Sequence, residues 1–315
     1  METQYRVLLY YKFVPVENHE QLAAEHLEYC KNLGVLGRIL IAPEGINGTL
    51  SGTFEQTEAY MEHLRSDPRF ADTEFKIDLV DSQPFHKIFV RSKAELVTFR
   101  LEDDVKPYEM TGKYLNAEEF YKALKEEDVI VIDGRTDYEY DVGHFHNAIR
   151  PPVDSFREFP EWIRSEFGDK KDKKILTYCT GGIRCEKLTA FMVKEGFTDV
   201  YQLEGGIVKY GKDEKIKGAL WEGLCYVFDE RITVPINHTD EGNMVVGRCY
   251  HCGTQTDTYV NCANMYCNRQ HLSCESCLIE HEHCCSNDCQ GSTHKKKEYV
   301  QYVEDLKSKA VSTAL

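Results

Sequence analysis

Cys179 stands where the apolar run Lys174-Ile175-Leu176-Thr177-Tyr178 gives way to Thr180-Gly181-Gly182-Ile183-Arg184 and then to a helical pattern. A thiol is a useful nucleophile only as thiolate, and a free cysteine titrates at about 8.5. At a strand-to-helix junction the sulfur faces backbone N–H groups and the positive end of the helix dipole. Gly181 and Gly182 let the backbone curl into an anion nest, and Arg184 adds a fixed positive charge. All three favour the thiolate, or a bound anion such as a persulfide. Cys185 follows directly and could resolve a persulfide or sulfenate on Cys179 as a disulfide; the competing reading is a small core residue in the first helical turn.

A second concentration of chemistry lies near the C-terminus. Nine of the 13 cysteines fall between Cys249 and Cys289, which in a chain without a secretion signal reads as metal binding rather than disulfides. Cys249-x-x-Cys252 and Cys274-x-x-Cys277 are knuckle-type pairs, and Cys262-x4-Cys267 and Cys285-x3-Cys289 are looser ones. Such pairs commonly give two ligands each to tetrahedral zinc. Their alternation suggests crossed sites, with Cys249, Cys252, Cys274 and Cys277 on one zinc and Cys262, Cys267, Cys285 and Cys289 on the other. Cys284, His251, His271, His281 and His283 are competing ligands, so the pairing stays open. Four-thiolate sites have no open position, which favours a structural role over a catalytic one. A ubiquitin-ligase-like or binding module is the alternative.

The elements needed to hold Cys179 are legible around it. Val129-Ile130-Val131-Ile132, residues 174–178 and Val200-Tyr201-Gln202-Leu203 read as buried strands, with a helix from about Arg184 to Gly196 carrying Leu188, Phe191, Met192 and Val193. Asn116 with Glu119 makes a capping-box pattern ahead of them. This is an α/β domain with a mostly parallel sheet, in which sites sit at the carboxyl ends of strands. Ahead of it, a strand over 5–13, a helix over 19–33 capped by Asn18, strands over 37–42 and 46–51, a helix over 57–64 and strands over 75–79 and 87–90 approximate a β-α-β-β-α-β order. That predicts a ferredoxin-like α+β domain over 1–100. Residues 101–115, opening with Glu102-Asp103-Asp104, read as a solvated linker. The α/β domain then covers 116–222, and 223–315 is a loop-rich, cysteine-rich zinc-binding domain with a helical stretch near 303–311.

The chain has 315 residues and a net charge of −15, which counts against an indiscriminate nucleic-acid coat but leaves room for one local basic groove. Arg38, Lys87, Arg91, Lys93 and Lys295-Lys296-Lys297 are the basic candidates, each of which also reads as solvated surface. No run of about 18 apolar residues is present, and Met1 to Arg6 lacks a basic segment followed by an apolar stretch. The expectation is a cytoplasmic protein with no membrane partner. His144-x-His146 has no evident third ligand and is assigned no metal.

Residues 133–149, with Asp133-Gly134-Arg135, Glu139-Tyr140, Gly143-His144 and Asn147-Ala148-Ile149, resemble the rhodanese signature, and Leu203-Glu204-Gly205-Gly206-Ile207 resembles that family's later turn. The resemblance covers about 115–215. It implies persulfide-type chemistry at Cys179 and structural roles for Asp133, Arg135 and Glu139 as an ion-pair brace under the sheet. It also implies a loop of the short six-residue kind associated with sulfur transfer, one residue shorter than in the related phosphatases.

Wider matches narrow the family. Residues 178–187, Gly37 to Thr49, Glu95-Leu96-Val97, Cys225 to Arg231 and Tyr259 to Asn264 are similar to the oxygen-dependent tRNA uridine hydroxylases. That likeness implies hydroxylation of the wobble uridine of certain tRNAs to 5-hydroxyuridine, with molecular oxygen as co-substrate, tRNA as partner and Cys179 essential. The knuckle pairs are less typical of that family than the Cys262, Cys267, Cys285, Cys289 set. No flavin or NAD fingerprint and no two-His-one-carboxylate iron site is evident, so oxygen activation is unexplained by the sequence. The alternatives are a sulfurtransferase carrying sulfane sulfur on Cys179 and a non-enzymatic zinc-bearing adaptor.

Overall fold

The computed structural model describes residues 4–239 and 244–313. It opens with β1 (Tyr5–Phe13), α1 (His19–Leu33), β2 (Leu36–Ala42), β3 (Gly45–Thr53), α2 (Phe54–Ser66), β4 (Phe75–Val80) and β5 (Ile88–Ser92). The sheet runs β4-β1-β3-β2-β5, antiparallel except where β5 lies parallel to β2 at the edge. Period-two alternation splits its side chains. Leu8, Tyr10, Ile39, Ile41, Ile46 and Leu50 pack with residues of α1 and α2 in the first core. Leu9, Tyr11, Arg38, Leu40, Asn47 and Thr49 share the other face, which is turned toward the Cys179 loop. A Thr53–Gln56 capping box starts α2. Asn18 does not cap α1 as expected: its backbone lies outside the extended region a cap requires, and its side chain accepts a hydrogen bond from Arg69 at 2.9 Å.

The α/β unit follows as β6 (Lys113–Leu115), α3 (Ala117–Ala123), β7 (Ile130–Asp133), α4 (Asp137–Val142), β8 (Gly143–Phe145), α5 (Phe159–Phe167), β9 (Ile175–Tyr178), α6 (Ile183–Lys194), β10 (Val200–Leu203) and α7 (Gly206–Gly211). Its sheet, β6-β10-β9-β7, is parallel throughout. Every residue of β9 is buried because both faces are covered. Phe159 and Ile163 of α5 join Leu188 and Phe191 of α6 on one side, and Phe120 of α3 joins Ile207 and Tyr210 of α7 on the other.

Of the acidic stretch, Glu102 and Asp103 stay exposed, while Asp104 turns in toward a buried lysine. Lys187 and Lys194, two turns apart on α6, take Asp104 and Asp103, each at 2.7 Å. Lys187 is wholly buried, and its ammonium also reaches Glu95 at 2.9 Å and Glu44 at 3.3 Å. The first sheet, the connector and α6 are thereby tied at one point.

The last segment contributes β11 (Trp221–Tyr226), β12 (Thr233–Pro235), β13 (Tyr259–Asn261), β14 (Gln270–Leu272), α8 (Glu275–Glu280), α9 (Asn287–Gln290) and α10 (Lys297–Thr313). β11 pairs with both β8 and β12, which fixes this segment to the α/β unit. α10 is longer than the expected stretch, and its Leu306 packs on Val260 and Leu278. Among the described residues no helix is long and apolar enough to cross a membrane.

Candidate active site

Cys179 directly follows β9, and Ile183 begins α6, so the six-residue loop is a strand-to-helix elbow. The Gly182 N–H donates to Cys179 Sγ at 3.2 Å, with Gly182 at φ +105°, a backbone state that favours glycine. From below, Ile207 and Val208 donate their N–H groups to the carbonyls of Cys179 and Thr180 at 3.0 and 3.1 Å. Burial alone would push the Cys179 thiol up. The Cys185 thiol, the Arg184 guanidinium and the N–H groups of Cys185 and Gly182 outweigh it and bring the thiol down to about 6. Cys185 touches Cys179, and burial pushes its own thiol up. One thiol of the pair is therefore held as the anion and the other as its donor.

Arg184 is not a free cation. It grips Glu139 with two hydrogen bonds, at 2.7 and 2.8 Å, and also donates to Thr180 Oγ1 at 3.2 Å. The three residues implied as one brace therefore divide. Asp133 and Arg135 form a wholly buried pair, 2.9 and 2.6 Å apart, with Arg135 donating also to the Gly143 carbonyl at 2.6 Å. Glu139 instead positions the loop through Arg184, and Arg184 helps hold its carboxyl below the usual range against the upward push of burial.

Above the loop lies a cavity of about 460 Å³, bounded on one side by Cys179, Thr180, Gly181 and Arg184 and on the other by the first sheet, with Phe228 at its edge. The sheet comes very close. A Cβ at Gly181 would meet Leu9 at 3.0 Å, and one at Gly182 would meet the Tyr11 hydroxyl at 2.8 Å. Tyr11 and Tyr114 both donate to the buried carboxylate of Glu186, at 2.9 Å and 2.7 Å. Asn47, Thr49 and Phe228 stand inside the stretches 37–49 and 225–231 that resemble the hydroxylases, but no role attaches to them or to Tyr11 from sequence; the alternation of β1 and β3 puts Tyr11, Asn47 and Thr49 on one face, and only the fold shows what that face covers.

The eight paired cysteines form two groups, Cys249, Cys252, Cys274 and Cys277 in one and Cys262, Cys267, Cys285 and Cys289 in the other, with the sulfurs of each within 4.8 Å of one another. The sulfurs lie 3.6 Å apart for Cys252–Cys274, 3.6 Å for Cys267–Cys285 and 3.9 Å for Cys285–Cys289. A tetrahedron with metal–sulfur bonds of about 2.3 Å has edges of about 3.8 Å. Both clusters could therefore hold a metal ion.

The chain matches three domain families: the UPF0176 acylphosphatase-like domain over residues 5–96, the rhodanese-like domain over 116–213 and the rhodanase C-terminal domain over 222–290. It is 55% identical over 305 residues to the tRNA uridine(34) hydroxylase of Bacillus licheniformis, covering 96% of this chain and 92% of that one. To the tRNA uridine(34) hydroxylase of Bacillus velezensis it is 53% identical over 301 residues, with coverage of 96% and 92%. Among solved structures, a rhodanese-like domain protein from Staphylococcus aureus aligns at 27% identity over 32% of this chain and 94% of its own, with a TM-score of 0.27.

Proposed function

The chain belongs to the tRNA uridine(34) hydroxylase family, and from that premise we propose that it converts the wobble uridine of tRNA to 5-hydroxyuridine, with molecular oxygen as co-substrate and Cys179 as the essential thiol. The observation that supports this site is a cysteine favoured as thiolate at the floor of a cavity of about 460 Å³, between two domains. A base reaches such a floor only after leaving its stack, as in other enzymes that act on nucleobases. The net change replaces C5–H by C5–OH. One oxygen atom is retained, and the other leaves as water with two electrons and two protons. A dithiol passing to a disulfide supplies both, and Cys179 with Cys185 is a pair in contact that can act as one.

Each four-cysteine set holds a zinc ion in this reading, since four thiolates at tetrahedral spacing fit that metal and close its coordination shell. The zinc ions supply folding energy to a segment with little apolar core, and no step of the reaction passes through them.

Nucleoside mass spectrometry of tRNA from cells lacking the protein, complemented with wild type or Cys179→Ala, tests the function. Wild type restores 5-hydroxyuridine-derived nucleosides and the alanine variant does not. Nucleosides unchanged by the deletion would refute the activity, and restoration by the variant would remove Cys179 from the chemistry. The nest around Sγ would equally hold a persulfide, so thiosulfate-to-cyanide transfer by the purified chain separates a sulfurtransferase from a hydroxylase.

A further inference from the structure

Two rows of side chains cross the face of the first sheet that looks onto the Cys179 loop. Strand register aligns Leu9, Thr49, Arg38 and Phe89 in one row and Tyr11, Asn47, Leu40 and Arg91 in the next. The inner members of both rows line the cavity over Cys179. The outer members continue past it: Phe89 is 38% exposed, and the Arg91 guanidinium lies 5.3 Å from its ring centre. The cavity thus opens onto a strip where a partly exposed aromatic ring has Arg38 as its cross-strand neighbour and Arg91 over its face.

The strip carries uncompensated positive charge. In a chain of net charge −15, neither Arg38 nor Arg91 makes an ion pair among the described residues and both are exposed, and the same holds for Lys87 and Lys93 at the two ends of β5. The cavity wall is equally unspent, because the Asn47 carboxamide and the Thr49 hydroxyl have no hydrogen-bond partner among the described residues. A carboxamide accepts from the N3–H of uracil and donates to the carbonyl beside it. Strands β3 and β5 are two spacings apart, about 10 Å, which a base in the cavity and its neighbour outside can bridge.

We infer that this open sheet face is the RNA-binding wall of the site and seats single-stranded anticodon-loop nucleotides of tRNA. Asn47 faces the edge of the target uracil, Phe89 stacks the neighbouring base, and Arg38 and Arg91 take the phosphates. The inference rests on the hydroxylase reading for the identity of the RNA. It rests on charge complementarity and on continuity with the Cys179 cavity for the choice of surface. Sheet faces that stack bases on exposed aromatics beside arginines are an established way to hold unpaired RNA.

The test is binding of a fluorescein-labelled anticodon stem-loop carrying U34 to the full-length protein, by anisotropy across a salt series. Arg38→Ala/Arg91→Ala removes two phosphate contacts. Affinity is expected to fall about tenfold near 0.15 M salt, and the slope of log K against log salt to shrink by about 1.4. Phe89→Ala weakens binding with little change in slope, whereas Lys296→Ala/Lys297→Ala, at the start of α10 and outside the cavity lining, changes neither. Wild-type affinity and slope in the double arginine variant, no binding by the wild type, or an equal loss in the lysine variant would each overturn the inference. Arginine-dependent binding in a protein whose deletion leaves tRNA nucleosides unchanged would keep the wall and refute the hydroxylase.

Discussion

Replacing Lys187 by Met removes the cation that joins the first sheet to the helix following Cys179. Its ammonium, with no solvent exposure, lies 2.7 Å from Asp104, 2.9 Å from Glu95 and 3.3 Å from Glu44. At an effective dielectric of about 20 each contact is worth roughly 5 to 6 kcal/mol before desolvation, which cancels most of it. The larger effect is what remains afterwards, three carboxylates facing one another without a counter-charge. Breaking a buried pair in this way costs about 3–5 kcal/mol. These carboxylates keep 11% to 29% of their exposure, so water reaches them and the lower end applies. About 3 kcal/mol raises the open population roughly 100-fold. Urea denaturation should show the loss of stability, and hydrogen exchange should show it as weakened protection of β3 and of the first turns of α6.

The pH dependence of the Lys187→Met variant has a definite sign. Burial already raises the Glu44 carboxyl in the wild type, and losing Lys187 raises it further. The penalty is full above the raised folded-state values and fades as pH falls toward about 4, where free carboxyls titrate. A deficit under about 1 kcal/mol at pH 7, or one that does not narrow on acidification, would refute the clamp.

Two further outcomes follow from the sulfur chemistry. Alkylation of Cys179, followed by mass spectrometry, should rise with pH around about 6, because a lowered pKa makes the reactive thiolate dominant above that value; an inflection near the free-cysteine value of about 8.5 would mean the loop does not stabilise it. Elemental analysis should find two metal ions in the chain and one in Cys252→Ser, the remaining ion held by the Cys262, Cys267, Cys285, Cys289 set; fewer than two in the wild type would refute the two-site reading.

Cys179 and the cysteine pairs are legible in the sequence because their chemistry is local: a loop of contiguous residues, and ligand pairs a few positions apart. What depends on the first sheet closing over the loop is not. Tyr11 donates to a carboxylate 175 positions away, and nothing in the sequence around Lys187 announces that Glu44, Glu95 and Asp104 converge on it. Arg184 reads as a free charge because its partner, Glu139, lies 45 positions earlier, in a signature whose other acid takes Arg135. The two glycines show the difference most sharply. Gly182 uses the conformational freedom an anion nest demands, at φ +105°. Gly181 has no such backbone requirement. What it needs is space, since a Cβ there would stand 3.0 Å from Leu9 of the first sheet. Adjacent identical residues thus answer to different constraints, one from the loop's own backbone and one from a domain distant in sequence. Alanine at 181 would leave the nest around Cys179 intact and require the Leu9 side chain of the first sheet to give by a few tenths of an ångström.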